Sequence, residues 1–378
     1  MYPPWRLAAH GLDSVETVGS CLDAVAGLAC LLLGMSGYPV VEQVDNLQIL
    51  GMMLFLHGNG YGWMQGMTSA IAQTIDTWVD QPLFLVATAT TTVDAPVGLV
   101  SSLWRAIVLG FVQGMTEFLP ISSTAHLKVV PVALGWGDPG VTYTAVIQLG
   151  SIAAVLWYFW DDLTQITRGA IAAIARKDYQ AQDFRLTMGI AFGTIPIVIF
   201  GLAIKIFIPD YDNSPMRWMS TIAIVSIVMA LLLGLAEKIG RRKRQFDDLD
   251  TRDGILMGLA QTLALIPGVS RSGSTLTAGL FMGLERATAA RFSFLLGIPA
   301  ITIAGLVELQ SLLENGFGEI GFLPLITAIL SSALFSYLAI AGLLRYLKTR
   351  NTWVFVWYRL GFGLVILLGI AMNWISAR

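Results

Sequence analysis

From about residue 99 onward the chain is a succession of apolar segments separated by short polar loops. Several of these segments approach the ~20 residues that a helix needs to cross a bilayer. Of all 378 residues, 55% are hydrophobic and only 13% are charged, whereas a soluble domain usually carries about a quarter of charged residues. The sequence therefore predicts an all-α polytopic membrane protein, and the absence of a clustered basic face argues against nucleic-acid binding.

Two polar stretches interrupt this pattern and divide the predicted helices into long and short ones. The long segments cover 141–160, 188–207, 218–236, 291–310, 321–344 and 353–375. The short segments form two pairs, each joined by a polar stretch: 102–117 with 123–134, and 254–266 with 274–284. A short helix, a polar turn and a second short helix predict a re-entrant hairpin.

The layout repeats along the chain. Pro120 and Pro267 are 147 residues apart (267 − 120), and so are Ser123 and Ser270 (270 − 123). Each unit would be a re-entrant helical hairpin followed by three transmembrane helices. Since three is odd, the second unit must be inverted relative to the first, which predicts an inverted repeat with a site where the two hairpins meet.

Basic residues in short loops predict the orientation. One side collects thirteen of them: Arg168, Arg176, Lys177, Arg185, Lys238, Arg241, Arg242, Lys243, Arg244, Arg286, Arg345, Lys348 and Arg350. The other side has little beyond Arg217 and Arg378. The basic side should be cytoplasmic, which predicts a multi-pass protein of the plasma (inner) membrane with a site reached from the outer, periplasmic side.

The first 98 residues do not fit the repeat, so we expect an N-terminal extension over 1–98 and a membrane domain over 99–378. The extension holds one apolar stretch, 18–35, which is interrupted by Asp23. That stretch could supply one extra transmembrane helix. A non-native start or a disordered extension explains the composition equally well.

The first polar stretch, residues 113–126, reads QGMTEFLPISSTAH. Gln113 and Glu117 share one helical face, and Glu117 lies in the last turn before Pro120. Ser122, Ser123 and Thr124 suit the N-terminus of the next short helix, whose first turns contain His126. Capping explains the hydroxyls, but a carboxylate inside a membrane needs a cation, a proton or an arginine as its partner.

The second stretch, residues 267–275, reads PGVSRSGST. Gly268 and Gly273 permit unusual backbone angles, and the serines lead into a helix N-terminus. Backbone N–H groups, hydroxyls and the guanidinium of Arg271 would converge there, as in phosphate sites. Together the two stretches favour hydrolysis of a phosphate on a membrane-embedded substrate over ion transport.

These stretches closely resemble the two signature motifs of the undecaprenyl pyrophosphate phosphatases, also known as the bacitracin-resistance protein family. Segments 146–151 and 292–296 resemble further parts of the family, and the likeness covers about residues 100–375. The resemblance implies hydrolysis of undecaprenyl pyrophosphate, an isoprenoid lipid, to undecaprenyl phosphate and inorganic phosphate. That reaction recycles the lipid carrier for cell-wall synthesis and confers bacitracin resistance.

The resemblance also implies roles for individual residues. It assigns a divalent cation, Mg or Ca, to Glu117, with Gln113 in the ligand shell. Arg271 would clamp the phosphate, Ser123 is the candidate nucleophile, and His126 is the general acid/base or a rival nucleophile. Supporting substrate contacts are expected from Ser122, Ser270, Ser272, Gly273 and Thr275.

Many family members have glutamate where this chain has Gln113, so a mechanism that requires two carboxylates here is not expected. Two mechanisms of hydrolysis are compatible with these residues. Ser123 could attack with His126, three residues later on the helix, as its base. Alternatively, a metal-activated water attacks and His126 serves the leaving group.

Two other function classes are compatible with parts of the pattern. Inverted repeats with broken helices are also a transporter plan, so the chain could flip a phosphorylated isoprenoid carrier. A lipid phosphatase of the histidine type needs two catalytic histidines, and the membrane domain has only His126. The sequence leaves open whether the protein forms a homodimer.

Overall fold

The computed structural model describes residues 96–208, 210–211, 213–315 and 321–377. Residues 1–95, which hold nearly all of the predicted N-terminal extension and its apolar stretch 18–35, lie outside these ranges. The described ranges are helical, and their only β-type pairing is a single bridge between Arg244 and Leu284. The predicted all-α fold is confirmed for this part of the chain.

Eleven α-helices, numbered here in chain order, make up the described ranges. They are α1 Pro96–Glu117, α2 Ser123–Ala133, α3 Val141–Tyr158, α4 Trp160–Arg176, α5 Gln182–Phe207, α6 Met219–Ile239, α7 Thr251–Gln261, α8 Arg271–Phe281, α9 Arg286–Asn315, α10 Phe322–Leu347 and α11 Trp353–Ala371. A 3₁₀ turn, Thr262–Leu265, extends α7 toward the second polar stretch.

Seven of these helices are long and apolar enough to cross a membrane: α1, α3, α5, α6, α9, α10 and α11. The six predicted long segments are among them, so the multi-pass architecture is confirmed. The prediction that α1 is short is wrong, because the helix begins at Pro96 and not near residue 102. Its first turns contain Ser101 and Ser102, whose hydroxyls bond the Gly98 carbonyl and so join the helix despite their polarity.

One helix, α4, was not predicted from the sequence. Its buried residues, Ile166, Ala170 and Ala173, are spaced four and three apart and therefore form one narrow apolar stripe. Asp161 and Asp162 occupy the first turn and Arg176 the last, where they complement the helix dipole. The charges lower the hydropathy below that of a membrane span, which is why a search for spans passes over this amphipathic helix.

The first helix of each hairpin packs against a long helix of the other half of the chain, α1 against α10 and α7 against α5. A Cβ atom added at Gly254 or Gly258 of α7 would overlap the carbonyl oxygen of Gly189 or Gly193 in α5. Glycines four apart let two helix backbones approach this closely in membranes. Each half of the chain thus supplies a long helix that packs on the hairpin of the other half, which is compatible with two related units. The inverted orientation of the two units stays a prediction.

Polar clusters lie at opposite ends of α6. Buried Glu237, near its C-terminus, accepts hydrogen bonds from three neighbouring segments, through Arg242, Arg286 and Thr352. Just before its N-terminus, Arg217 pairs with Asp138 at 3.2 Å. The structure thus gathers several loops of the predicted basic side at one end and Arg217 at the other.

Replacement of Gly258 by alanine should loosen the contact between α7 and α5. The new methyl group has no space beside the Gly193 carbonyl, so we expect a loss of about 1–3 kcal/mol in unfolding free energy, typical of overpacking. Gly342→Ala is the matched control, because nothing lies within 4 Å of a Cβ at that position. Thermal unfolding in detergent measures both variants, and equal midpoints would contradict the close packing.

Candidate active site

The two polar stretches fold into two similar turns, each of which ends at a serine that caps a short helix. Ser122 caps α2 and Ser270 caps α8, with φ angles of 75° and 74°. Each hydroxyl accepts a hydrogen bond from the amide three residues ahead, at 3.4 Å from Ala125 and 3.0 Å from Gly273. The caps are 148 residues apart (270 − 122), so the expected match of Ser123 with Ser270 is off by one residue.

Positive φ angles at residues other than glycine are strained, at a cost of about 1–3 kcal/mol each. Such residues persist only where surrounding contacts fix them. In both turns the cap hydroxyl lies 3.1 Å from a second hydroxyl two residues ahead, that of Thr124 in one turn and Ser272 in the other. The two strained turns therefore place a row of hydroxyls beside two helix N-termini.

An ion pair between the hairpins lies at the centre of the site. Glu117 Oε1 is 3.3 Å from Arg271 Nη2, and both side chains are buried. The other carboxylate oxygen, Oε2, accepts hydrogen bonds from Ser123 Oγ at 2.6 Å and Gln113 Nε2 at 3.1 Å. The predicted partner of Glu117 is thus an arginine, and the structure brings Gln113, Glu117, Ser123 and Arg271 together.

Arg271 is further held by helix α9. Its Nη1 donates to the Ser293 carbonyl at 3.3 Å, and its guanidinium carbon lies 5.9 Å from the centre of the Phe118 ring. A Cβ atom at Gly297 would overlap the guanidinium, so glycine is required where α9 passes. The Nε atom is buried and has no hydrogen-bond partner in the described part of the chain. One donor of Arg271 is therefore left without a protein partner in the described structure.

Three of the expected substrate contacts lie behind the site. The Ser272 hydroxyl donates to the Glu117 and Leu119 carbonyls at 3.2 and 2.9 Å, which joins α8 to the end of α1. Thr275 Oγ1 lies 2.5 Å from Ser293 Oγ and also donates to the Arg271 carbonyl at 2.8 Å. The Gly273 amide is used by the Ser270 cap. In this arrangement all three support the residues that face the cavity.

A cavity of about 150 Å³ opens in front of the ion pair. Its polar part is lined by Glu117, Ser122, Ser123, Thr124, Gln148, Ser270 and Arg271. Its apolar part is lined by Ile197, Ala264, Leu265, Ala300, Ile301 and Ala304. A cavity of this kind suits a molecule that joins a compact anionic group to an apolar chain.

His126 is buried and makes its contacts away from Ser123. Its Nδ1 lies 2.7 Å from the Ser122 carbonyl, and its Nε2 lies 2.7 Å from the Tyr358 hydroxyl. The ring also stacks on Phe362, with 4.3 Å between the ring centres. Neither ring nitrogen of His126 bonds Ser123 in the described part of the chain, and the group that accepts the hydrogen bond of the Ser123 hydroxyl is Glu117.

Two residues of this region have no predicted role, although Gln148 lies in the segment 146–151 that resembles the family. Gln148 of α3 lines the cavity, and its side chain makes no hydrogen bond within the described residues. Arg359 of α11 is 1% exposed and donates to carbonyls of both turns. Both could have been found by the rule that singled out Arg271, because each is a polar or charged residue inside an apolar span.

The donors for a divalent cation are few. The described residues contain no group of three or more histidine, cysteine, aspartate or glutamate side chains around one point. Gln113 is fully buried, and its Oε1 has no hydrogen-bond partner among the described residues. Mg²⁺ commonly takes one or two protein oxygens together with phosphate oxygens and water. Glu117 and the free amide oxygen of Gln113 therefore fit a cation that a phosphorylated substrate helps to hold.

Fold and site together define a multi-pass helical membrane protein whose two hairpins place a buried ion pair and several hydroxyls beside one cavity. The family model described as "Bacitracin resistance protein BacA" matches residues 106–365. The chain belongs to this family, and the resemblance of the two polar stretches is confirmed.

Curated relatives support the same assignment. The chain is 72% identical over 267 residues to a protein named undecaprenyl-diphosphatase from Nostoc sp. (strain PCC 7120). This alignment covers 71% of this chain and 83% of the relative. Proteins of that name from Synechocystis sp. (strain PCC 6803) and Synechococcus sp. (strain RCC307) are 65% and 59% identical. These alignments cover 73% and 74% of this chain, and 85% and 97% of the relatives.

Removal of one partner of the central ion pair should destabilise the fold. Arg271→Ala leaves the Glu117 carboxylate buried without its cation, which typically costs about 3–5 kcal/mol. The double variant Glu117→Gln/Arg271→Met removes both charges and should recover most of that loss. Unfolding free energies of the single and double variants in detergent measure the coupling, and additive losses would show that the pair is not coupled.

Proposed function

We propose that the protein hydrolyses undecaprenyl diphosphate to undecaprenyl phosphate and inorganic phosphate in the cavity between the hairpins. The observation that carries the proposal is the contact of Ser123 with a carboxylate that is itself paired with Arg271. The apolar lining beside this cluster would accept the start of the isoprenoid chain, and the names of the curated relatives support the same substrate.

Ser123 is the proposed nucleophile and Glu117 the proposed base. The hydroxyl already donates to the carboxylate at 2.6 Å, so a proton can pass to Glu117 as Ser123 Oγ attacks the terminal phosphorus. The bond from that phosphorus to the bridging oxygen breaks, and undecaprenyl phosphate leaves with the proton that Glu117 took up. Water then attacks the phosphoserine and gives a proton to Glu117. Glu117 returns this proton to Ser123 Oγ as the bond from serine to phosphorus breaks and inorganic phosphate is released.

Arg271 and the two helix N-termini would stabilise the charge on the transferred phosphoryl group. The free Nε–H of Arg271 is one donor, and the first amides of α2 and α8 are others. Substrate phosphate would compete with Glu117 for the guanidinium. The arginine would then turn toward the phosphate, while the carboxylate keeps its hydrogen bond to the Ser123 hydroxyl.

A divalent cation, Mg or Ca, is proposed at Glu117 and Gln113 Oε1, where it would neutralise part of the pyrophosphate charge. Gln113 now donates to Glu117 through Nε2. A half-turn of the amide would present the unpaired Oε1 beside the carboxylate instead. For His126 we propose a positioning role through the Ser122 carbonyl and Tyr358, while its role as general acid or base stays a prediction.

The proposed location is the plasma membrane, with the cavity reached from the outer, periplasmic face. The gathering of basic loops at the Glu237 end of α6 supports this orientation. A homodimer stays a prediction. Transport of an isoprenoid carrier is not favoured, because the relatives bear an enzyme's name and the site pairs a hydroxyl with a base.

Loss of the nucleophile or base should strongly slow phosphate release from undecaprenyl diphosphate by the purified protein. We expect Ser123→Ala to lower kcat by about 10³-fold or more, and Glu117→Gln by about 10²- to 10⁴-fold, the usual contribution of a general base. Ser101→Ala is the control, since that exposed hydroxyl only bonds its own helix.

Two outcomes would overturn parts of this mechanism. Full activity of Ser123→Ala would exclude a serine nucleophile. A rapid-quench experiment that finds no phosphoserine during turnover would favour direct attack by water. An unmodified protein that releases no phosphate with Mg²⁺ or Ca²⁺ present would overturn the proposed function itself.

Gln113→Glu should raise the affinity of the protein for its cation. A second carboxylate beside Glu117 adds charge where the proposed ligand is now a neutral oxygen, so the Mg²⁺ concentration that gives half of maximal activity should fall. Calorimetric titration of Mg²⁺ against the substrate-free protein gives an independent reading. Gln310→Glu, at an exposed position on α9, is the control. If Gln113→Glu left the Mg²⁺ concentration for half-maximal activity unchanged, a ligand role for residue 113 would be contradicted.

A further inference from the structure

Arg359 is a buried cation whose hydrogen bonds all go to backbone carbonyls. It lies on α11 and is 1% exposed. Its Nη1 donates to the Pro120 and Val269 carbonyls, each at 3.0 Å, and its Nη2 donates to the Gly268 carbonyl at 2.6 Å. Its Nε lies 3.4 Å from the Ser226 carbonyl of α6. No carboxylate pairs with it within the described residues.

The carbonyls that Arg359 holds belong to both hairpin turns. Pro120 lies two residues before the Ser122 cap, and Gly268 and Val269 directly precede the Ser270 cap. Both caps have positive φ angles, which need contacts from outside the turn to persist. A planar guanidinium with five donors can bond both turns at once, which an ammonium group cannot do in the same geometry.

The contact with Val269 also fixes the direction of the next amide, that of Ser270. A trans peptide is planar, so its N–H points away from its own C=O. Because the Val269 carbonyl points at Arg359, the N–H of Ser270 points away from it. That N–H makes no hydrogen bond within the described part of the chain, and Ser270 lines the cavity. It is therefore an available donor for an oxygen of a bound phosphate.

We propose that Arg359 is a positioning residue that ties the two hairpin turns together and thereby aims the Ser270 amide and the α8 N-terminus at the phosphate. Through the same contacts it keeps Glu117 and Ser123 of one hairpin opposite Arg271 of the other. The expected effect of Arg359 on the reaction rate rests on the proposed function. The expected coupling of the two turns by Arg359 does not.

Arg359→Lys separates geometry from charge, because it keeps the cation and loses the bridge. We expect kcat for undecaprenyl diphosphate to fall by about tenfold or more with KM changed by less than about twofold, the pattern of an interaction realised in the transition state. Arg286→Lys is the matched control, an arginine held by Glu237 away from both turns. Full kcat in Arg359→Lys, or a loss that lies in KM alone, would overturn the proposal.

Hydrogen exchange measures the coupling without activity. In Arg359→Lys, peptides covering residues 117–126 and 266–275 should both exchange faster than in the unmodified protein, whereas Arg286→Lys should change neither. Unchanged exchange in both peptides would refute the coupling. If the unmodified protein released no phosphate, the proposed function would fail, and the exchange result would still decide whether Arg359 holds the turns.

Gly273→Ala is a second variant for the case that Arg359→Lys does not fold. A Cβ atom there would lie 2.9 Å from Arg359 Nη1 and 3.0 Å from Ser270 Cβ. It would therefore crowd both the guanidinium and the cap of its own turn, and faster exchange of residues 117–126, in the other turn, reports the displaced guanidinium. Residue 273 lies inside α8, where alanine is the better helix former. The same faster exchange in both peptides is expected, and an unchanged exchange pattern would count against the proposal.

Discussion

The ion pair between Glu117 and Arg271 is the interaction on which the site depends. Each charge lies on a different hairpin and is buried, so neither is stable without the other. Their contact requires the end of α1 to meet the start of α8. Close helix packing makes this possible, at Gly110 and Gly114 of α1 against α10 and at the glycines of α7 against α5. The cavity forms where these two helix ends meet.

The pair also brings a hydroxyl, an arginine donor and two helix N-termini, the groups that bind phosphate in proteins, to one place. Glu117 accepts a hydrogen bond from Ser123, and Arg271 keeps one donor free. Around them, the strained caps Ser122 and Ser270 turn two helix N-termini toward one space, and Arg359 holds both turns from behind. Strain of this kind persists because several independent contacts fix it.

Much of the fold and the identity of the motif residues could be predicted from the sequence. Which group each of these residues contacts could not. Gln113, Glu117, Ser123 and Arg271 do come together. The spacing of Ser123 and His126 on a helix left open whether His126 acts on Ser123. In the structure the His126 ring bonds the Ser122 carbonyl and Tyr358, which lies on a distant segment. Ser272 and Thr275 bond protein groups, and helix α4 was missed because its charges hide it from a search for apolar spans.

The sequence by itself determined that the chain is a helical membrane protein with two polar interruptions, because hydropathy, segment length and the cost of buried charge are local properties. It also determined the family, since the motif residues are contiguous. Only the tertiary structure decided which groups meet: Glu117 with Arg271, Ser123 with Glu117, and Arg359 with both turns. Those contacts join residues up to 239 positions apart, and packing of distant helices, not local pattern, sets them.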